Sequence, residues 1–184
     1  MEIKPLAIPD VKLVVPKVFG DARGFFTETY NRRLFAAAGI PDEFVQDNHS
    51  LSREKGVVRG LHFQLGPHAQ GKLVRVIRGS IFDVAVDIRS SSPSYRLHVS
   101  AILSAENHQQ LYVPPGFAHG FATLEPDTEV VYKVTDFYTP AVDRGVLWND
   151  PALGIVWPVD ATAAILSEKD RNAPLLETLS QPFP

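Results

Sequence analysis

The stretch Lys72-Leu-Val-Arg-Val-Ile-Arg-Gly-Ser-Ile-Phe-Asp-Val-Ala-Val-Asp-Ile88 decides the fold class. It reads as two strands, 72–78 and 81–88, joined by a tight turn at Arg78-Gly79-Ser80. In the second run Phe82, Val84, Val86 and Ile88 share one face, and Asp83 and Asp87 lie on the other. That period of two is the mark of a pleated strand. Working outward, residues 57–64 form a further strand upstream, and strand-like runs follow at 96–104, 109–113, 120–124 and 129–138. Short strands separated by turn signals predict a mainly β protein, a sandwich or barrel rather than a parallel α/β sheet.

Toward the N-terminus, Leu6–Pro9 and Val11–Pro16 are apolar segments bounded by prolines. They are expected to be edge strands, or arms that pair with another subunit. Phe19-Gly-Asp-Ala-Arg-Gly24 reads as a turn, and 25–30 as a strand. Asn31 caps a short helix, Arg32–Ala38, which Gly39 ends and Pro41 keeps from resuming. Toward the C-terminus, Asn149-Asp150-Pro151 resembles a helix start that Gly154 soon ends. Ser167-Glu-Lys-Asp170 reads as an N-cap followed by an acidic first turn. The expected organisation is one domain over 1–184, with short helices and a tail over 149–184 lying across the barrel mouth or outside it.

The bulk numbers bound the function. At 184 residues, 45% hydrophobic and 21% charged, the composition is that of an ordinary globular chain with room for a core. A net charge of −3 argues against general nucleic-acid binding. The absence of cysteine removes disulfides, thiolate metal sites and a thiol nucleophile, and suits a reducing cytoplasm. The sequence has neither a signal-like N-terminus nor an apolar run long enough to span a bilayer, so no membrane association is expected.

Four chemically distinct polar groups stand close together: Arg59, His62 and Gln64 on one strand and Lys72 at the start of the next. A strand pair that buried only apolar groups would not need this set, which suggests a pocket. Taken singly, each group has a bland reading: a structural histidine, a solvated lysine, a surface arginine. Tyr132 alternates with Val130 and Val134, which makes it a core tyrosine with its hydroxyl at the rim, and Asp170 favours a helix start. Arg23 and Arg59 are forks suited to phosphate oxygens. Strict alternation puts Arg59 and His62 on opposite faces, so either a bulge lies at Gly60 or Arg59 serves another part of the site, such as a neighbouring subunit's.

Pro114-Pro-Gly-Phe-Ala-His119 is more specific. It is similar to the second signature of cupin barrels, whose histidine usually binds metal. The first signature needs His-x-His and a nearby glutamate. Here Gln64 takes the second position and no glutamate lies between Gln64 and Gly79. The expectation is cupin architecture without metal or other cofactor, which frees a pocket histidine for proton transfer.

Seven ordered motifs extend the resemblance over nearly the whole chain, from Ile8 to about Leu176: Phe19-Gly-Asp-x-Arg-Gly-Phe-Phe, Phe44-Val-Gln-Asp-Asn-His-Ser, Arg59-Gly-Leu-His-Phe-Gln, Gln70-Gly-Lys-Leu-Val-Arg, Phe82-Asp-Val-Ala-Val-Asp-Ile-Arg, Pro115-Gly-Phe-Ala-His-Gly-Phe and Leu147-Trp-Asn-Asp-Pro. Together they closely resemble the dTDP-4-dehydrorhamnose 3,5-epimerases, metal-free cupin-like jelly-roll enzymes of dTDP-L-rhamnose and lipopolysaccharide O-antigen biosynthesis. The resemblance implies a cytoplasmic homodimer acting on dTDP-4-dehydro-6-deoxy-D-glucose. It implies His62 as base, Asp170 as its partner, Tyr132 as acid and Lys72 as holder of the enolate oxygen. It further implies Arg23 and Arg59 on the diphosphate, Glu28 and Gln46, Asp47 and Asn48 on the nucleotide, and His119 on the sugar, with Asp143 and Lys169 as additional contacts. Three other readings stand beside it: a mono-epimerase or ketoisomerase on a related dTDP-4-keto-6-deoxy sugar, a metal-dependent cupin, and a non-catalytic sugar-binding barrel.

Overall fold

The computed structural model describes residues 1–180 and Phe183. Among the described residues, thirteen strands and two short α-helices follow in order: β1 (Glu2–Pro5), β2 (Lys12–Val15), β3 (Val18–Asp21), β4 (Gly24–Thr27), α1 (Arg32–Ala37), β5 (Gln46–Ser52), β6 (Val58–Gln64), β7 (Lys72–Arg78), β8 (Ser80–Asp87), β9 (His98–Ser104), β10 (Gln110–Val113), β11 (Phe117–Thr123), β12 (Thr128–Val134), β13 (Asp143–Gly145) and α2 (Glu168–Arg171). Two antiparallel sheets form a cupin-like jelly roll, one ordered β1-β2-β10-β7-β12-β5 and the other β13-β6-β11-β8-β9. The β3–β4 hairpin stands apart as a two-stranded ribbon.

Between the sheets lies the main core, with Val74, Val76, Leu111, Val113 and Val130 from one and Ile81, Ala85, Val99, Leu103, Phe117 and Phe121 from the other. The alternation of 81–88 holds, but its apolar face is not the one that meets the opposite sheet. Val84, Val86 and Ile88 pack outward with Leu61, Phe63, Val146, Leu153 and Leu176, under the C-terminal segment. Ile81, Asp83 and Ala85 therefore face the barrel side. Asp83 and Asp87 are both fully buried, against the usual rule that polar strand faces meet water. Each Leu or Phe sealed beneath the C-terminal segment contributes roughly 1.5–3 kcal/mol, and this is what holds that segment against the five-stranded sheet.

Local signals are realised with small shifts. The Asn31 side chain accepts from the backbone N–H groups of Arg33 and Leu34, and α1 stops at Ala37. Of the two Pro-bounded segments, only the second yields a strand, β2; Leu6–Pro9 connects it to β1, the edge strand of its sheet. The run expected from 129 to 138 stays in the sheet only as far as Val134, and β9 begins at His98, with Arg96 and Leu97 before it still bonded to the Asp87 backbone. Gly154 takes a left-handed conformation after the short 3₁₀ turn Pro151–Leu153, as its place in the sequence implied.

Candidate active site

Strand β6 carries Arg59 and His62 to one side of the sheet because it bulges. Opposite β11 its register runs His119↔His62 and then Phe121↔Arg59, so three steps of β6 are matched by two of β11. The extra residue falls at Gly60, whose φ is +123° and whose added Cβ would lie 2.6 Å from Gly120 Cα and 2.7 Å from the His119 carbonyl oxygen. The conflict of parity between Arg59 and His62 is thereby resolved within one chain. Both line a cavity of about 250 Å³ with Lys72, His119, Tyr132, Lys169 and Asp170. The cavity continues into a second compartment of about 300 Å³, which adds Gln46, Asn48, Tyr138 and Asp143.

The groups converge from both sheets. His62 and His119 stand directly across from one another on β6 and β11 of the five-stranded sheet. Lys72 and Tyr132 come from β7 and β12 of the six-stranded sheet. Asp170 is brought in by α2 and shares a hydrogen bond of 2.5 Å between its Oδ1 and His62 Nε2. Its side chain is only 6% exposed, against 32% for His62. His119 Nε2 meets Asp83 Oδ1 at 2.7 Å, and the other carboxylate oxygen of Asp83 has no partner among the described residues. Among the described residues, Lys72 Nζ reaches only the His62 carbonyl oxygen, at 3.4 Å.

Burial sets the proton affinities. It pulls Lys72 down to about 8; Asp143 and then Asp83 oppose this, and Lys169 adds to it. Burial also pushes the Tyr132 phenol up, Asp143 pushes the same way, and Arg59 offsets part of the rise, so the group is protonated at neutral pH. Burial alone would raise Asp170, but the hydrogen bond and charge of His62, together with Ser167 and Lys169, hold it below the usual carboxylate range. The cavity thus presents a carboxylate-backed imidazole, a protonated phenol and a buried amine within one space.

Of the other expected residues, some lie outside the cavity and some are held at its wall. Asp47 falls on the outer face of β5, paired with Lys133 at 2.8 Å, because alternation sends it away from Gln46 and Asn48. Gln64, read as a pocket group, lines the second compartment and also braces its wall: its amide donates to the carbonyls of His68 and Phe137 at 2.8 and 3.1 Å and accepts from Thr139 N–H at 2.7 Å. Arg23 sits on the β3–β4 ribbon, bonded to Asp21, with its side chain 90% exposed. Glu28 follows that ribbon and meets Asn31. Neither lines the cavity of its own chain. Asp143 contacts Lys169 and accepts from the Tyr138 hydroxyl at 3.1 Å.

Sequence reasoning missed Ser50, Asp83, Phe121, Tyr138 and Ser167 in or beside the cavity. Ser50 was legible in principle, since it shares the parity of Gln46 and Asn48. Tyr138 lies past the end of its strand and carries no periodic signal. Among the described residues, no group of three or more His, Cys, Asp or Glu side chains could hold a metal ion.

The chain is 54% identical to the dTDP-4-dehydrorhamnose 3,5-epimerase of Shigella flexneri over 94% of both proteins. A dTDP-6-deoxy-D-glucose-3,5-epimerase from Legionella pneumophila, solved with dTDP-4-keto-L-rhamnose, superposes with a TM-score of 0.92 at 46% identity, covering 97% of this chain and 94% of that one. A 3′-monoepimerase from Streptomyces bikiniensis, solved with dTDP-quinovose, is similar at 32% identity and a TM-score of 0.88, covering 95% and 88%. The family model of dTDP-4-dehydrorhamnose 3,5-epimerase matches residues 5–178, and the chain belongs to that family.

Proposed function

We propose that the protein epimerises C3 and C5 of dTDP-4-dehydro-6-deoxy-D-glucose to give dTDP-4-dehydro-L-rhamnose, the isomerase step of dTDP-L-rhamnose biosynthesis. In this substrate the C4 ketone acidifies the hydrogens on C3 and C5, and removal of either leaves an enolate with its charge mostly on O4. His62 takes the proton, and Asp170 stabilises the imidazolium that results. Lys72 meets the oxygen where charge develops, an interaction of the kind whose loss costs about 3–4 kcal/mol of barrier. Tyr132 returns a proton to the other face. The observation that carries this reading is the approach of His62 and Tyr132 to one cavity from opposite sheets, with Lys72 lining the same cavity. Inversion requires two such groups on opposite sides of the ring.

Arg59 and His119 bind near the sugar and diphosphate; Gln46 and Asn48 hold the nucleotide, with Asp143 and Lys169 at the rim. Arg23 and Glu28 do this in a neighbouring subunit's cavity, since the ribbon that bears them leaves its own chain's cavity untouched. That ribbon exposes Phe19, Phe25 and Phe26 at 53, 63 and 71%, apolar surface that a second copy would cover in a homodimer. The reaction is assigned to the cytoplasm, in keeping with a chain that has no cysteine; no described helix is long and apolar enough to cross a membrane.

The likeness to a 3′-monoepimerase favours one alternative, inversion at a single carbon. Incubation with substrate in heavy water separates the two: deuterium is expected at both C3 and C5, and His62→Asn is expected to abolish both exchanges. Exchange at one carbon alone selects the mono-epimerase, and normal exchange in His62→Asn removes the base.

A further inference from the structure

Asp170 stands at the third position of α2, 108 positions along the chain from His62. A helix of four residues has almost no internal hydrogen bonds with which to hold a side chain still. Ser167 does the holding. Its Oγ accepts the Asp170 N–H at 3.1 Å and lies 2.9 Å from Asp170 Oδ2, while Oδ1 takes His62. A hydroxyl has one proton and two lone pairs, so it accepts from the N–H and donates its own proton to Oδ2. In an ordinary capping box the third-position carboxylate reaches back to the backbone N–H of the capping residue. Here both oxygens are used otherwise, one by the capping hydroxyl and one by the imidazole. Among the described residues no other side chain donates to Oδ2, and Ser167 itself lines the cavity.

We propose that Ser167 is a positioning residue of the base: its hydroxyl fixes the Asp170 carboxylate and, through it, the orientation and proton arrangement of His62. The assignment rests on His62 being the base. Without the hydroxyl, Asp170 is free to turn about its terminal bond, and the imidazole loses the single direction in which its other nitrogen faces the sugar. Capping and aiming are separable, because glycine is nearly as good an N-cap as serine yet has no hydroxyl.

The test compares Ser167→Gly, Ser167→Ala and Ser167→Thr, with rates expressed per folded molecule from a thermal melt. Ser167→Gly is expected to lower kcat and deuterium exchange at both carbons together by about 10–100-fold, the range for a residue that orients a functional group from behind. KM is expected to stay within about threefold. Ser167→Ala should match it in kcat, and Ser167→Thr should recover to within about threefold of wild type. A Ser167→Gly enzyme with wild-type exchange reduces the residue to a helix cap, and a threonine variant as slow as the glycine one reduces it to packing; either overturns the proposal. The downfield NMR signal of the His62–Asp170 proton tests the brace in the free protein. Its persistence in Ser167→Gly also overturns the proposal, whereas absence of exchange in the wild type would refute the epimerase reading and leave this signal intact.

Discussion

Lys72 is the residue whose environment works against its charge. Burial lowers it to about 8, so the ammonium proposed to stabilise the enolate is present below that pH and lost as pH rises through it. The expected result is a basic limb in the kcat/KM profile near pH 8. Asp143→Asn should move that limb to lower pH, because Asp143 is the largest influence keeping Lys72 protonated. Lys72→Met should cost about 10²–10³ in kcat, as loss of an oxyanion contact does; a variant within tenfold of wild type removes the role. Burial shifts Tyr132 the other way, upward, and so keeps its phenol protonated where Lys72 begins to lose its proton. Tyr132→Phe is expected to leave C–H exchange running while inversion, followed by NMR of the product, slows; unchanged inversion removes the acid. Arg59, His62, Lys72, Tyr132 and His119 were all legible in the sequence as residue types. Asp83 was not, because a strand aspartate ordinarily meets water and here only the covering C-terminal segment shows that it faces inward.

Among the elements, β6 matters most, and its bulge decides what it presents. Gly60→Ala places a Cβ against Gly120 and the His119 carbonyl at a positive φ. Strain and overlap together should cost about 3 kcal/mol or more, read as a large drop in denaturant midpoint. Asn31→Ala, which removes the α1 cap and the bond to Glu28, should cost about 1 kcal/mol, read as a small drop in denaturant midpoint. A Gly60→Ala protein as stable as wild type would show that the bulge relaxes freely. Strand parity sets Arg59 and His62 on opposite faces, and nothing local to β6 decides which way that conflict resolves. That depends on β11 supplying Gly120, a residue with no side chain, at the point of closest approach.

For the whole molecule, the β3–β4 ribbon sets the question, because it carries Arg23 away from the cavity of its own chain. Replacing Phe25 and Phe26 by serine should shift the protein toward monomer in light scattering and lower activity with it. Arg23→Ala and His62→Asn homodimers, each impaired, should regain activity when unfolded, mixed and refolded together, because half the sites of a mixed dimer then have both residues intact. No recovery on mixing would place Arg23 outside the partner's site.

The strands from β6 to β12, the α1 helix and the candidates for base, acid and cation follow from the sequence alone, whereas the β3–β4 ribbon, read partly as a turn, does not. Period-two alternation, capping residues and motif spacing are local, and a local signal needs no knowledge of what packs where. Three things belong to the tertiary structure: the inward turn of Asp83, the common side taken by Arg59 and His62, and the meeting of His62 with Asp170. Each depends on contact between segments far apart in the chain, and the free energy that selects such contacts comes from burial, which no single segment can express by itself.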